Sequence, residues 1–291
     1  MRRRQMTTDD SIRRPRTAPS IAAHKVADGV EPLVMVTAYD APGAHIADRA
    51  GVDLILVGDS VAMVVLGYDD TLHVTMDDMV HHTAAVARAK PDPFIVGDLP
   101  WMAYHTTMAA AVENAARLVR AGAQSVKLEG GRRRLPVVEA IINAEIPVMG
   151  HIGLTPQSAL AMGGFKIQGR RVEAAQALID DAKALEDAGV YAMVLEGVPG
   201  PVADAVTRQV GVPTIGIGAG PGCDGQVLVY HDVLGIEDRL RPKFVRRYAE
   251  IGEASIDALA HYAADVRART FPSAEESYKA NEDLAEALSV Y

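Results

Sequence analysis

Eight short apolar runs, most of them followed by a segment with helical periodicity, repeat along the body of this 291-residue chain. The runs are rich in β-branched residues and lack regular polar alternation, which is typical of parallel strands covered by helices. Eight strand–helix units predict an α/β fold, a (β/α)8 barrel, and a doubly wound sheet is the alternative. The predicted strands are Leu33–Asp40, Val52–Asp59, Phe94–Leu99, Ser125–Glu129, Ile146–His151, Tyr191–Glu196, Pro213–Gly218 and Gln226–Asp232.

Helical segments lie between most of these runs. Their apolar residues recur at intervals of three to four, which places them on one face of a helix. Gly122, Gly189 and Gly211 each follow a segment and are interpreted as helix ends, where glycine can take a left-handed cap. The seventh connection is too short for a full helix, so the count of eight includes one irregular unit. The predicted helices are Asp77–Ala89, Met108–Ala121, Leu135–Ala144, Val172–Ala188 and Pro201–Val210.

Residues 25–270 are predicted to form one catalytic domain, because no linker rich in Pro, Gly or Ser interrupts them. Two connections within this domain are unusually long. Ser60–Thr75 follows the second predicted strand, and Thr155–Arg171 follows the fifth. Long loops of this kind are often functional lids, so we expect both to cover a site.

The two ends of the chain are predicted to lie outside the barrel. Residues 1–24 are rich in arginine and are followed by no apolar stretch, which predicts a disordered basic arm rather than a secretory signal. An organelle transit peptide is the alternative, and Asp9 and Asp10 argue against it. Residues 271–291 are polar, acidic and helix-prone, and we expect a peripheral tail that can pack on a neighbouring subunit.

Charge and cysteine content exclude several classes of partner. The chain has 29 Lys and Arg against 38 Asp and Glu, a formal net charge of −9, which disfavours general binding to nucleic acid or anionic membranes. One cysteine, Cys223, cannot form an intrachain disulfide or a cysteine-based zinc site. No apolar run approaches the roughly 18 residues of a membrane span. We therefore expect a cytoplasmic protein without nucleic-acid or membrane partners.

Charged side chains lie at or near the carboxyl end of most predicted strands. In a barrel these ends converge on one mouth, where active sites form, and charges buried there must be paired or bind a metal. Each one alone is equally well explained as a strand-ending or helix-capping residue, but that explanation weakens for a whole set on different strands. The residues are Asp40, Asp59, Asp98, Lys127, Glu129, His151, Glu196 and Asp232.

Three of the carboxylates predict a site for a hard cation. Asp59 and Asp98 lie on neighbouring strands and Glu129 on the next, with no clustered Cys or His beside them. Mg²⁺ typically takes one or two protein carboxylates and leaves positions for water or substrate oxygens. The alternative is an ion pair between Lys127 and Glu129, which point to one face of their strand, beside two unrelated capping aspartates.

Lys127 has two possible chemical roles. A lysine in a barrel mouth can form a Schiff base with a carbonyl substrate. The carboxylates around it favour its protonated form, so we favour a cation that binds a substrate carboxylate.

Two further patterns are assigned no chemistry. Gly220, Gly222 and Gly225 satisfy G-x-G-x-x-G, but a strand-like segment follows and no acidic residue lies about 20 positions on, so we reject a dinucleotide site. His81 and His82 fall within a predicted helix and are interpreted as surface or packing residues.

Six motifs occur in order between about residue 25 and about residue 240, and none has lost a functional group. They are Val57-Gly58-Asp59-Ser60, Gly97-Asp98-Leu99-Pro100, Val126-Lys127-Leu128-Glu129-Gly130-Gly131, Gly150-His151-Ile152-Gly153-Leu154-Thr155-Pro156-Gln157, Gly164-Phe165-Lys166-Ile167-Gln168-Gly169 and Ile215-Gly216-Ile217-Gly218-Ala219-Gly220. Together they resemble the ketopantoate hydroxymethyltransferase (3-methyl-2-oxobutanoate hydroxymethyltransferase) family.

The resemblance implies a (β/α)8 TIM barrel of the phosphoenolpyruvate/pyruvate type and the first committed step toward pantothenate and coenzyme A. In that step, 3-methyl-2-oxobutanoate receives a hydroxymethyl group from 5,10-methylenetetrahydrofolate, which gives 2-dehydropantoate and tetrahydrofolate. It also implies a homo-oligomeric ring, often a decamer of five dimers. By matching motifs, the resemblance implies one Mg²⁺ per subunit that is bound by Asp59 and Asp98, with Glu129 acting through water. It also implies that Asp59, Ser60, Asp98 and Lys127 bind the oxoacid. Glu196 would remove the proton.

The residue types suit this chemistry by themselves. The keto and carboxylate oxygens of a 2-oxoacid can chelate a metal, which then acts as a Lewis acid on the carbonyl. Removal of the C3 proton gives an enolate stabilised by Mg²⁺ and Lys127. Glu196, on a different strand from the metal ligands, is the best candidate for the base. His151 is a supporting residue that hydrogen-bonds the base or the product alkoxide.

Three other functions stay open on the sequence. A metal-dependent 2-oxoacid lyase or aldolase on the same barrel would differ by not requiring methylenetetrahydrofolate. A Schiff-base aldolase would allow borohydride trapping of substrate on Lys127. A non-catalytic ring or metabolite-binding protein is disfavoured by the carboxylates gathered at one face. No local motif identifies the folate-binding residues.

Overall fold

The structure is a computed structural model that describes residues 16–236, 242–279 and residue 288. In this described part, eight parallel strands pair in chain order, and the first pairs with the last to close a barrel. The predicted (β/α)8 barrel is confirmed, and the doubly wound sheet is excluded. The strands are β1 (Leu33–Thr37), β2 (Leu54–Val57), β3 (Phe94–Asp98), β4 (Ser125–Glu129), β5 (Val148–Gly153), β6 (Ala192–Glu196), β7 (Thr214–Ile217) and β8 (Gly225–Leu228).

The last predicted strand, Gln226–Asp232, is wrong in its second half. β8 ends at Leu228, and the chain turns into a short helix that contains Asp232. The turn is fixed by Tyr230, whose backbone N–H donates a hydrogen bond to the Thr37 hydroxyl at 2.9 Å. Each of the other predicted runs contains a strand.

The five predicted helices match observed helices to within one residue at each end. Gly122 and Gly189 have φ angles of +112° and +95°, which confirms two predicted helix ends. The helix end predicted at Gly211 is also confirmed, since α9 ends at Gln209, but the left-handed cap is not: Val210 before Gly211 is extended, and the Glu186 carboxylate accepts a hydrogen bond from the Gly211 N–H. The helices are α1 (Ala18–Ala22), α2 (Ala41–Ala50), α3 (Val61–Val64), α4 (Met76–Arg88), α5 (Met108–Ala121), α6 (Leu135–Asn143), α7 (Ala159–Met162), α8 (Val172–Asp187), α9 (Gly200–Gln209), α10 (Tyr230–Leu234) and α11 (Ile251–Ala268).

The seventh connection, residues 218–224, is fully described and contains no helix, as its length predicts. It carries two glycines of the G-x-G-x-x-G pattern and leads directly into β8. A Cβ atom at Gly220 would lie 2.9 Å from the Gly200 Cα atom, so the glycine allows this connection to pack against α9. A packing role therefore explains the pattern without a dinucleotide.

A short N-terminal segment closes the end of the barrel where the strands begin. Residues 16–24 were predicted to be part of the disordered arm, but they include helix α1, with Ile21 fully buried. This part of the prediction is wrong because Ala18 and Ile21 pack on the apolar barrel interior. The arginine content of the segment does not indicate this packing. Residues 1–15 of the predicted arm lie outside the described residues.

Two ion pairs, Arg16 with Asp53 and Lys25 with Asp224, hold the start of the described chain in place, and the second gives a stability prediction. Lys25 Nζ lies 2.7 Å from Asp224 Oδ2, and the same carboxylate accepts hydrogen bonds from the backbone N–H groups of Val26 and Thr214. The Asp224 side chain is 2 % exposed. We expect Asp224→Ala to lower the free energy of unfolding by about 3–5 kcal/mol, because it leaves a buried charge unpaired.

Urea unfolding followed by circular dichroism measures this loss. Asp204→Ala is the matched control, because the pair between Asp204 and Arg208 is exposed and is worth at most about 1 kcal/mol. Equal losses in the two variants would contradict a structural role for the buried pair.

The barrel interior is apolar near α1 and polar at the opposite end. Leu33, Leu54, Phe94 and Met149 belong to the apolar layer. The two long connections after β2 and β5 lie at the polar end and contain the short helices α3 and α7. The apolar layer therefore supports the polar one and positions the strand ends for a site.

The chain beyond the barrel consists of α11 and an exposed segment. No residue of α11 is buried. Residues 271–279 of the predicted tail are exposed, and most of residues 280–291 lie outside the described residues. Among the helices that the structure describes, none is both long enough and apolar enough to cross a membrane.

Candidate active site

A cavity of about 620 Å³ opens at the carboxyl ends of the strands. Seven side chains predicted for the site line it, although they are far apart in sequence. They lie on or just after β2 to β6, and convergence of the strands brings them together. They are Asp59, Ser60, Asp98, Lys127, Glu129, His151 and Glu196.

Two aspartates meet where β2 and β3 end. Asp59 and Asp98 are 5 % and 1 % exposed, and the Asp59 backbone N–H donates a hydrogen bond to Asp98 Oδ2 at 3.2 Å. This bond orients the Asp98 carboxylate so that its other oxygen lies 2.9 Å from Lys127 Nζ. Both carboxylates predicted to bind metal therefore lie on adjacent strands at one point of the cavity.

The Lys127 ammonium group is buried among acids. Burial opposes its charge, but Asp98, Glu129 and Asp59 together outweigh burial and raise the pKa of Lys127 above its ordinary value. A protonated amine is not a nucleophile. The geometry therefore favours binding of an anion by Lys127 over a Schiff base.

His151 links Lys127 to Glu196. Its Nδ1 atom lies 3.3 Å from Lys127 Nζ, and its Nε2 atom lies 3.2 Å from Glu196 Oε2. Burial, followed by the charge of Lys127, lowers the pKa of His151, so the ring is neutral. Because an ammonium group only donates, Nδ1 accepts and the proton lies on Nε2, which is close to Glu196 Oε2.

Carboxyl groups outnumber ammonium groups in the floor of the cavity. Burial raises the pKa of Asp98 to about 7, an effect that Lys127 opposes and Asp59 reinforces. Burial and the charge of Asp59 also raise the pKa of Glu129 well above its usual value. Three carboxyl groups thus surround Lys127. Two of them are shifted toward the protonated form, and a bound dication would favour their ionised form.

The donor set of this floor is chemically suited to Mg²⁺. It consists of carboxylate oxygens, which a hard cation prefers. Over residues 16–236 and 242–279, no three Asp, Glu, His or Cys side chains approach closely enough to ligate one ion together. The fit therefore rests on the excess of buried carboxyl groups over ammonium groups and on the type of donor.

Gln157, to which the sequence assigned no role, connects the acidic residues. Its side-chain N–H donates to Asp59 Oδ2 at 2.8 Å, and its backbone N–H donates to Glu129 Oε2 at 3.0 Å. The Tyr104 hydroxyl donates to Gln157 Oε1 at 2.7 Å and so fixes the orientation of the amide. Its place in the motif that ends with Pro156 and Gln157 was the available signal, but an uncharged side chain indicates no chemistry.

Ser60 lies beside this charged floor. It is half-buried, and its Oγ atom is 2.8 Å from the Tyr39 hydroxyl. Because hydroxyl groups rotate and both donate and accept, Ser60 can present a hydrogen to a ligand while it accepts one from Tyr39.

Two acids predicted at strand ends are placed differently. Asp40 is exposed and caps α2, where it accepts a hydrogen bond from the Gly43 N–H at 2.7 Å, so the capping explanation applies to it. Asp232 lines the cavity from α10 rather than from a strand. His82 packs from α4, with Nδ1 2.7 Å from the Tyr39 carbonyl oxygen.

A family model described as ketopantoate hydroxymethyltransferase matches residues 16–274. The chain belongs to the ketopantoate hydroxymethyltransferase family. The 3-methyl-2-oxobutanoate hydroxymethyltransferase of Moorella thermoacetica is 56 % identical over 264 residues, which cover 90 % of this chain and 97 % of that protein. The 3-methyl-2-oxobutanoate hydroxymethyltransferase of Oleidesulfovibrio alaskensis is 54 % identical over 268 residues, which cover 92 % of this chain and 92 % of that protein. The predicted family is confirmed, and the chain is a transferase enzyme.

Solved structures with distant sequences share the fold of this ketopantoate hydroxymethyltransferase family member. Phosphoenolpyruvate phosphomutase from Streptomyces platensis subsp. rosaceus matches with a TM-score of 0.58 at 18 % identity, over 94 % of this chain and 96 % of that one. A 2,3-dimethylmalate lyase, described as a member of the PEP mutase/isocitrate lyase superfamily, matches with a TM-score of 0.54 at 15 % identity, over 94 % and 98 %. These likenesses show the shared (β/α)8 fold.

Proposed function

We propose that this chain transfers a hydroxymethyl group from 5,10-methylenetetrahydrofolate to 3-methyl-2-oxobutanoate, consumes water, and releases 2-dehydropantoate and tetrahydrofolate. The reaction belongs to pantothenate and coenzyme A biosynthesis. The observation that carries the proposal is the row of Asp98, Lys127, His151 and Glu196 on four consecutive strands. This row places the Lys127 amine and the Glu196 carboxylate on opposite sides of His151 in one cavity. Family membership supports the identity of the one-carbon donor and of the oxoacid acceptor.

Asp59 and Asp98 would hold Mg²⁺ directly, and Glu129 would act through a water molecule. The oxygen donors and the burial of three carboxyl groups beside one ammonium group support this assignment. When bound, Mg²⁺ supplies a Lewis acid that polarises the keto group of the oxoacid. The protein contributes two carboxylates fixed at the ends of rigid strands.

Lys127 and Ser60, together with the two aspartates, are proposed to bind the oxoacid. Lys127 stays charged in its acidic surroundings and can stabilise negative charge as it develops on the substrate oxygen. The Ser60 hydroxyl can donate a further hydrogen bond. Each tenfold gain in rate requires about 1.4 kcal/mol of such stabilisation in the transition state.

Glu196 is proposed to remove the C3 proton. It ends β6, away from the pair that would bind metal, and its side chain is 17 % exposed toward the cavity that it lines. His151 Nε2 lies 3.2 Å from one of its oxygens and is close enough to orient the carboxylate. His151 is therefore a positioning residue, and Glu196 is the catalytic base.

Omission of each component in turn tests the reaction. Product is expected only when the oxoacid, methylenetetrahydrofolate and Mg²⁺ are all present. Exchange of the C3 proton with D₂O, followed by NMR, is expected with the oxoacid and Mg²⁺ alone. Turnover of an oxoacid without the folate would instead support the lyase or aldolase alternative, and the absence of both exchange and product would contradict the proposal.

Gln157→Ala is expected to lower Mg²⁺ affinity or turnover by about 10–100-fold, the usual effect of removing a residue that orients metal ligands. The change removes the hydrogen bond to Asp59 Oδ2 and leaves the carboxylate poorly oriented. Mg²⁺ titration of the activity measures the effect. Gln176→Ala, which alters an exposed glutamine bonded to Asp180, is the control, and equal behaviour of both variants would contradict the positioning role.

A homo-oligomer, specifically a decamer of five dimers, is part of the proposal. Ile256, Leu259 and Tyr262 on α11 are 68 %, 67 % and 54 % exposed, and their spacing of three places them near one face. Exposed apolar surfaces of this kind mark interaction sites, so a second copy of the chain is the expected partner. Sedimentation velocity of the full chain distinguishes a decamer, a dimer and a monomer. A monomer would contradict the proposal.

A cytoplasmic location completes the proposal. It is supported by cysteine usage, since Cys223 is buried as a thiol and a chain with one cysteine forms no intrachain disulfide. Cell fractionation with immunoblotting tests the location.

A further inference from the structure

We propose that Phe165 and Phe244 form the two sides of a slot that binds the pteridine ring of the folate donor. This inference rests on the proposed function, and it names the part of the cavity that holds the second substrate. Lys166 and Lys243, each next to one of these aromatic residues in sequence, attract the carboxylates of the glutamate tail.

The size of the cavity requires a second occupant. Its volume is about 620 Å³, and cavities of roughly 300–1,000 Å³ bind ligands of drug size. A five-carbon oxoacid held by Asp59, Asp98 and Lys127 fills only the charged floor. The remaining space lies toward the mouth, between the floor and the solvent.

The lining of this outer space is apolar and aromatic. Leu154, Pro156, Phe165, Pro242 and Phe244 line the same cavity as the charged floor. Phe165 and Phe244 are 56 % and 43 % exposed, although phenylalanine usually lies inside a protein. Exposed aromatic faces at a cavity mouth are suited to stacking a flat heterocycle.

The two phenylalanines lie on either side of β6, the strand that carries Glu196. Phe165 belongs to the connection after β5, and that connection is anchored beside Glu196 by a 2.9 Å hydrogen bond from Gln168 N–H to the Gly197 carbonyl. Phe244 covers the end of β7, because a Cβ atom at Gly218 would lie 2.9 Å from its ring. Since β6 lies between β5 and β7, the slot faces Glu196.

The reaction requires the donor to be in this position. Glu196 faces C3 of the oxoacid, and the one-carbon unit must come within bonding distance of the same atom. The ring system that carries the one-carbon unit therefore has to lie beside Glu196, between the two phenylalanines. The glutamate tail then extends toward solvent, where Lys166 and Lys243 are exposed in a chain whose net charge of −9 would otherwise repel it.

The test compares Phe165→Ala and Phe244→Ala with the wild-type chain in the presence of Mg²⁺. We expect the KM for methylenetetrahydrofolate and the Kd for tetrahydrofolate to rise about tenfold or more in each variant, as for the loss of one stacking partner. The KM for the oxoacid and the rate of C3 proton exchange without folate should stay within about twofold. Phe244→Tyr should restore tight folate binding, and Phe271→Ala, at an exposed aromatic residue in the C-terminal segment, is the control.

The outcomes separate this inference from the proposed function. If the wild-type chain does not exchange the C3 proton, the proposed function fails. If exchange is normal and tetrahydrofolate binds both alanine variants as tightly as the wild type, the slot is wrong while the function stands. Tyr68 lines the cavity from the connection after β2. The slot would also be overturned if Tyr68→Ala strongly weakened tetrahydrofolate binding and Phe244→Ala did not.

Discussion

Glu196→Gln is expected to lower both product formation and C3 proton exchange by about 10²–10⁴-fold, the range for loss of a general base. Glutamine has nearly the same shape and keeps an oxygen that can face His151 Nε2, but an amide does not take up the proton. Asp59, Asp98 and Lys127 lie on other strands. The KM for the oxoacid is therefore expected to change by less than about threefold.

Exchange in D₂O is the decisive measurement, because it reports proton removal before the carbon–carbon bond forms. It separates loss of the base from loss of donor binding, which turnover alone does not. Glu173→Gln, at an exposed position in the first turn of α8, is the control and should leave both rates unchanged. Wild-type exchange in Glu196→Gln would show that another group removes the proton, and His151 would be the nearest candidate.

The elements that the sequence predicted best are those whose signals are local. Helix α5 was predicted with its observed bounds, Met108–Ala121, because apolar periodicity coincides with Gly122 at its end. β4 was also predicted with its observed bounds, since all five of its residues are buried. By contrast, α1 depends on burial of Ile21 against strands distant in sequence, and the arginine-rich local sequence does not predict that contact.

The site was predictable as a set of strand ends, but not residue by residue. Asp40 and Asp59 look alike in the sequence, since each follows an apolar run. Asp40 became a helix cap because Pro42 and Gly43 start α2 directly after it, a signal that separates the two when it is read as a helix start. Gln157 was missed because its importance lies in contacts made across the barrel mouth.

Asp59→Asn is expected to weaken Mg²⁺ binding by more than about 100-fold, beyond the 10–100-fold effect of residues that only orient ligands. Turnover is expected to fall by about 10²–10³-fold, since several kcal/mol of charge stabilisation depend on the ion. Asp59 is the better position for this test than Asp98. Replacing Asp98 also removes the 2.9 Å partner of Lys127 and would confound loss of metal with loss of an ion pair.

Thermal unfolding provides a readout that does not need turnover. Mg²⁺ at 100 times its Kd stabilises a folded chain by about 2.7 kcal/mol, so the Tm of the wild type should rise with Mg²⁺ and that of Asp59→Asn should not. Asp40→Asn is the matched control at the same end of the barrel, because Asn caps a helix as well as Asp and its site is exposed. A chelator should remove wild-type activity, and added Mg²⁺ should restore it.

The ion-pair explanation of the same carboxylates predicts the opposite pattern. If Asp59, Asp98 and Glu129 only compensate Lys127, Mg²⁺ leaves the wild-type Tm unchanged, and the chelator has no effect on turnover. Burial, reinforced by repulsion from Asp59, raises the pKa values of Asp98 and Glu129 even though Lys127 opposes both shifts. A dication that relieves this repulsion must stabilise the folded chain, so an Mg²⁺-independent Tm would contradict the metal site directly.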